Sequence, residues 1–240
     1  MKSAPKDQKR LLDLQGLDTA IEKIKHSVAN LEVHQIISDL MQKRTQTGDD
    51  LIAAQTELSD LVVAAERAEA DVVPVRERLA RNQARVDAGQ VDSKALQSAI
   101  DEVAHLKQRI SDLEDCELEA LEAVEQARVR VEEMTHQGEL IETDLHAHVD
   151  KRDAEVGELA AKAKALAAER VQVAGEIAED LVGLYEKIRT RSAGIGVGSL
   201  QGRRCSGCGL EATVADYNAY LAAPEDQVIR CAECDRILIR

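Results

Sequence analysis

Apolar residues recur along most of this chain in alternating steps of three and four. They begin at Leu14, Leu17, Ile21, Ile24, Val28 and Leu31. That spacing keeps one stripe on one side of an α-helix and reads as a coiled-coil seam. The phase slips after Leu31, resumes as Val33, Ile37 and Leu40, and runs on through Leu51, Leu58, Ala65, Val72 and Leu79. A slip of this kind alters supercoiling without ending a helix, so one helix of about 80 residues is expected. Pro74 lies inside the stripe and, lacking an N–H, predicts a kink or a local bulge.

The pattern weakens over residues 85–93. Gly89 suits a helix C-terminus, and Asp92 or Ser93 suits the N-cap of the next helix. The chain is expected to reverse here. A second seam follows through Val103, Leu106, Ile110, Leu113, Ala120, Val124, Ala127, Val131, Met134, Ile141 and Leu145. After a second slip it continues through Leu159, Leu166, Val173, Ile177, Leu181, Leu184 and Ile188. This predicts a second helix of about 100 residues, whose extra length carries its end past the start of the first. Two such helices joined by a short turn form a hairpin in which each buries the other's stripe. Seams of this kind pair within a chain or between chains, so the oligomeric state stays open.

Four cysteines near the C-terminus change the picture. Cys205 and Cys208 form one C-x-x-C pair, and Cys231 and Cys234 form a second. Two residues between thiols let one turn aim both sulfurs at a single point, and two such turns supply the four ligands of a tetrahedral structural Zn²⁺. Disulfides rank lower, since nothing else in the chain suggests an oxidising compartment. A redox C-x-x-C would want a βαβ context, and four thiolates leave no open position for a catalytic zinc. One structural Zn²⁺ is therefore expected. Between the knuckles, Ala215–Leu221 reads as a short helix, with Tyr217 and Tyr220 available for a small core; residues 227–230 and 236–240 read as short strands. Residues 203–240 are too few to fold by apolar burial alone, so metal binding and folding should be coupled there, independently of the rod. Residues 192–202 hold four glycines, which predicts a pliable connector. They lack the lysine and Ser/Thr of a phosphate-binding loop.

The expected fold is thus mainly α: a long antiparallel two-helix coiled-coil hairpin over residues 1–192 with its turn near 86–93, a Gly-rich connector over 193–202, and a small four-cysteine zinc ribbon over 203–240. Composition agrees, since 44% of the residues are hydrophobic yet the chain has no Trp, no Phe and three Tyr. Side-by-side helices need few aromatics. The N-terminus leads into a charged helix without a signal-like apolar run, and no stretch approaches an uncharged membrane span, so a cytoplasmic location is expected. Cys116 reads as a small helix residue. His146 and His148, two apart, fall on different helix faces and make no second metal site.

The net charge is −14, the reverse of a typical nucleic-acid binder. Two basic clusters stand against it. Arg78, Arg81 and Arg85 share one helix face beside the turn, with Arg76 and Lys94 nearby. Lys187, Arg189, Arg191, Arg203, Arg204, Arg230, Arg236 and Arg240 lie at or near the cysteines. They are candidate contacts to an acidic protein surface or to phosphates; the alternatives are ion pairs with neighbouring carboxylates and charge balance around a tetrathiolate centre. No Ser/His/Asp order or carboxylate pair in a pocket suggests an enzyme or a small-molecule substrate.

The layout resembles a bacterial family, the C4-type zinc ribbon proteins with an N-terminal coiled-coil hairpin. The resemblance rests on residues 81–89 at the turn, 113–119 in the second helix, Cys205-Ser-Gly-Cys208-Gly-Leu, and the closing segment 228–238. It implies no enzymatic activity. It carries metal-ligand roles to Cys205, Cys208, Cys231 and Cys234, and it implies RNA or other nucleic-acid binding, or helper roles in flagellar or type III secretion. The leading expectation is a non-enzymatic zinc-binding adaptor that contacts a protein partner through rod and ribbon. The alternative is RNA or DNA binding through the basic rim of the ribbon.

Overall fold

The computed structural model describes residues 1–240. Four helices carry the seams: α1 (Pro5–Ala29), α2 (Glu32–Asp87), α3 (Leu96–Gly175) and α4 (Glu179–Arg191). A short helix, α5 (Val214–Ala222), and four strands follow: β1 (Val197–Gln201), β2 (Arg204–Cys205), β3 (Ile229–Arg230) and β4 (Ile237–Ile239). The chain packs as two compact units, residues 36–148, and residues 1–35 together with 149–240.

In the first unit α2 and α3 form the antiparallel hairpin. Ion pairs between the helices set the direction, because partner numbers fall as α2 advances: Arg44–Glu142 at 3.4 Å, Arg130–Glu57 at 3.1 Å and Arg76–Glu114 at 2.6 Å. Beneath them runs a heptad seam, with Glu117 holding one position on α3. On α2, Leu51, Ala54, Leu58, Leu61, Ala65, Ala68, Val72, Val75 and Leu79 are buried or half-buried. On α3, Val103, Leu106, Ile110, Leu113, Ala120, Val124 and Ala127 answer them. Aliphatic residues of mixed size fill the seam without aromatics. The chain reverses between Asp87 and Leu96, with Gly89 at φ +61°.

The two expected helices are four. The slip at Leu31 ends a helix where supercoil adjustment was expected: Asn30 caps α1, its backbone N–H reaching His26 O at 3.1 Å and its side-chain amide reaching the same oxygen at 2.7 Å. A polar residue able to bond its own chain favours termination. The second expected slip is absent. Leu145, Arg152, Leu159, Leu166 and Val173 stand seven apart and all are buried or half-buried, with a polar residue holding one seam position. The helix breaks instead at residues 176–178, where Ala178 adopts φ −57°, ψ 132° before α4.

The second unit corrects the expectation that one helix overruns the other and that the ribbon stands alone. Leu11 and Leu14 of α1, Val173 and Ile177 at the end of α3, Leu181, Tyr185 and Ile188 of α4, Val197 of β1, and Ile237 and Ile239 of β4 form one buried cluster. Fully burying a side chain of this size contributes roughly 1.5–3 kcal/mol. A 38-residue segment thus draws on the helices for its core. The pliable connector is half strand, since Val197–Gln201 pairs parallel to β4 in register Val197↔Ile237 and Ser199↔Ile239. The sheet order is β2-β1-β4-β3. Strand β4 alternates as a pleat requires: Ile237 and Ile239 face the helices, while Leu238 enters a second cluster with Cys205, Ala212, Tyr220, Ile229 and Cys231. Residues before α1 join the same unit, with Ser3 N–H donating to Asp226 O at 2.8 Å and Val228 N–H to Met1 O at 3.1 Å.

Candidate metal centre and the arginines around it

The two knuckles repeat one hydrogen-bond pattern. In the first, Cys205 N–H donates to Leu210 O at 3.0 Å and Gly209 N–H to Cys205 O at 2.8 Å. In the second, Cys231 N–H donates to Arg236 O at 2.9 Å and Asp235 N–H to Cys231 O at 2.9 Å. The residue four beyond the leading cysteine is left-handed in both, Gly209 at φ +76° and Asp235 at φ +60°. Glycine takes that conformation freely; the knuckle with Asp235 holds it by anchoring the carboxylate to Arg230 and, at 2.9 Å, to Arg191.

The four sulfurs converge within 4.8 Å of one another, with Cys208 Sγ to Cys231 Sγ at 4.0 Å, and none is in a disulfide. A regular tetrahedron with Zn–S bonds of about 2.3 Å places its sulfurs about 3.8 Å apart. The donor set therefore fits Zn²⁺ in number, softness and spacing. Burial pushes the Cys205 thiol up and the Cys231 thiol to about 12. At Cys234 burial also opposes ionisation, but the Arg236 backbone N–H, its guanidinium and the neighbouring thiols outweigh it and lower the pKa. A cation is what lets such a cluster shed its protons together.

A family model for the CT398-like coiled coil hairpin domain matches residues 14–193, and one for a C4-type zinc ribbon domain matches residues 204–238. The chain belongs to the CT398-like family. An uncharacterized protein of Mycobacterium tuberculosis is 29% identical over 240 residues, covering 100% of this chain and 98% of the relative. A solved structure from Mycobacterium smegmatis matches with TM-score 0.85 at 31% identity over 100% of both chains. CT398 from Chlamydia trachomatis shares the fold with TM-score 0.69 at 15% identity, over 97% of each chain. Both matched families are coiled-coil and zinc ribbon modules. No helix of this CT398-like chain is long and apolar enough to cross a membrane.

The arginines of the expected rim are engaged within this CT398-like fold. Arg203 donates to Ala212 O at 2.9 Å, and Arg204 pairs with Glu211 at 3.4 Å. Arg230 and Arg191 share Asp235. Arg236 donates to Ile195 O at 2.9 Å and Ser192 O at 3.0 Å, and Arg240 to the carbonyls of Tyr220, Ala223 and Pro224. Arg189 lies against Asp18 at 3.3 Å, Glu186 at 3.3 Å and Glu22 at 3.9 Å. Beside the hairpin turn, Arg78 pairs with Glu102 at 2.5 Å and Arg81 with Glu77 at 3.5 Å. Arg85 is exposed and makes no ion pair.

One cluster escaped the sequence reading. Asp18, 2% exposed, accepts from Arg170 Nε at 2.6 Å and from the Tyr185 hydroxyl at 2.7 Å. Arg170 also pairs with Glu186. Gln15 accepts from Gly196 N–H at 2.7 Å and donates to Gly194 O at 3.0 Å. The signal was present, because Gln8, Leu11, Leu14, Gln15 and Asp18 share the buried face of α1. Three polar residues there mark a face that meets hydrogen-bonding partners rather than another seam.

Proposed function

We propose that this protein is a non-enzymatic adaptor in which one structural Zn²⁺ staples the unit formed by residues 1–35 and 149–240, and the hairpin unit, residues 36–148, offers a docking surface to a basic protein partner. The observation that carries this reading is the segregation of charge. Residues 36–148 hold 25 Asp and Glu against 12 Lys and Arg, which leaves the rest of the chain at −1. Within the hairpin, residues 57–71 and 112–125 together hold twelve carboxylates and a single cation, Arg67. Leu118 and Leu121 stand 59% and 50% exposed among them. Such a surface attracts basic partners, repels phosphate backbones and offers apolar contact once a partner arrives. The pairing of the rim arginines with carboxylates and backbone carbonyls supports the same choice over nucleic acid. Cys205, Cys208, Cys231 and Cys234 would hold the ion, whose role is to supply four bonds that fix the two knuckles.

The test compares two kinds of binding on the full metal-replete chain. Titration with labelled single-stranded RNA and duplex DNA at low and physiological salt is expected to give no saturable binding. Cross-linking in cell extract is expected to recover a stoichiometric protein partner whose capture is lost when Glu119 and Glu122 are replaced by Lys. Saturable, salt-sensitive RNA or DNA binding that is lost in Arg204→Glu would overturn the adaptor reading in favour of phosphate recognition.

A further inference from the structure

We propose that Arg236 is a positioning residue of the metal centre: it fastens both cysteine knuckles to the α4–β1 turn and offsets the charge of the thiolates, and so governs how firmly the ion is kept. The proposal rests on the zinc assignment above and goes beyond it, since no ligand role falls to Arg236 itself.

Three contacts place it. Its guanidinium donates to Ile195 O and Ser192 O, at 2.9 and 3.0 Å, in the turn that links α4 to β1. Its backbone carbonyl accepts from Cys231 N–H at 2.9 Å and so closes the second knuckle. Its aliphatic stem lies along the first knuckle, because a Cβ built on Gly207 would stand 2.8 Å from Arg236 Cδ and 3.6 Å from Cys205 Sγ. One residue therefore touches both halves of the ligand set, through its backbone and its stem, and its guanidinium holds the helix-borne turn behind them.

The chemistry explains why arginine suits the position. Four thiolates around a dication leave two net negative charges in a half-buried site, where a fixed cation offsets them. Arginine's planar fork bonds two carbonyls from two separate nitrogens in a fixed geometry; lysine's single ammonium on a mobile stem does not reproduce that fork. Outer-sphere partners of this kind orient the ligands and commonly change metal retention by about 10–100-fold. Sequence alone left a partner-binding rim and charge balance around the thiolates both open for this arginine; its contacts to Ile195 O and Ser192 O support the second.

The experiment measures zinc release from the full chain into excess metallochromic chelator, together with the sulfur-to-metal charge-transfer spectrum of the Co²⁺-substituted protein. Arg236→Met is expected to release zinc about 10–100-fold faster and to shift the Co²⁺ band, with Arg236→Lys restoring only part of the retention. Arg240→Met is the control, because Arg240 also clamps three ribbon carbonyls yet touches no cysteine; it is expected to leave both readouts unchanged. If Arg236→Met does not fold, Arg236→Lys carries the test through the same two readouts. Wild-type rates and spectra in the Arg236 variants, or equal acceleration in Arg240→Met, would overturn the proposal. Absence of zinc from the wild-type chain would instead remove the metal assignment on which it rests.

Discussion

The Tyr185 hydroxyl donates to the buried Asp18 carboxylate across 2.7 Å, joining α4 to α1. That bond stands at the centre of a polar cluster inside an otherwise apolar junction. Asp18 also receives Arg170, and Arg189 lies 3.3 Å away. Gln15 extends the cluster to Gly196 N–H, and Gly196 O in turn accepts from Ile237 N–H, three residues past Cys234. The helices are thereby connected to the metal knuckles by short, directed bonds as well as by packing.

Tyr185→Phe removes one donor from a buried carboxylate while keeping the ring. It is expected to lower stability by about 1–3 kcal/mol. Asp18→Ala removes the buried carboxylate between Arg170 and Arg189, leaving them only the more exposed Glu186 and Glu22, and is expected to cost more, about 3–5 kcal/mol. Urea denaturation of both variants, read separately on the two compact units, checks the order and the location of the loss.

Alkaline pH gives an independent reading of the same bond. Burial first, then the hydrogen bond to Asp18, raises the Tyr185 pKa well above its ordinary value of 10.0. The folded state therefore holds a proton that the unfolded chain gives up. This contribution is fully present below pH 10 and is lost as pH rises from there through the folded-state value, at about 1.4 kcal/mol per pH unit. The stability difference between wild type and Tyr185→Phe should stay constant below pH 10 and shrink above it. Denaturation curves from pH 8 to 11 test this, and a difference that grows with pH would contradict it.

Gly196→Ala should damage the junction through crowding. A Cβ there meets the Tyr185 ring at 2.7 Å and Tyr185 O at 2.8 Å, and the backbone is among the atoms that would have to move. Overpacking of this kind costs about 1–3 kcal/mol. Gly183→Ala, with nothing within 4 Å of the new atom, is the matched control and should be neutral or slightly stabilising. Thermal melts of the two variants separate close approach from glycine content.

Cysteine spacing and the hairpin seams were legible because both are local. Two residues between thiols define a knuckle, and Leu51 to Leu79 keep one heptad phase. The junction was not legible, for physical reasons that particular residues make clear. Asp18 and Gln15 occupy buried positions on α1, where an apolar-periodicity reading passes over them in favour of Leu17 and Ile21. Gly196 belongs to a glycine-rich run that, by composition, looks like a linker; only the Tyr185 ring shows that its role is close approach. The arginines were found with a partner-facing and a charge-balancing reading both open, since charge near a cysteine cluster gives no sign of whether it faces solvent or a carbonyl. At Leu31 a change of phase reads alike whether the helix adjusts or ends, and Asn30 decides for ending.

Hydrogen exchange on the full chain under reducing conditions, with and without a zinc chelator, is the most direct test that the metal staples helices and ribbon into one unit. Native mass spectrometry of the same sample should first count one zinc per chain, absent in Cys231→Ser. Chelation is then expected to abolish protection in α1, α4 and residues 197–239 together, while residues 36–148 exchange as before. Loss confined to residues 203–240, with α1 and α4 still protected, would mean that the ribbon folds as a separate module and would contradict this account.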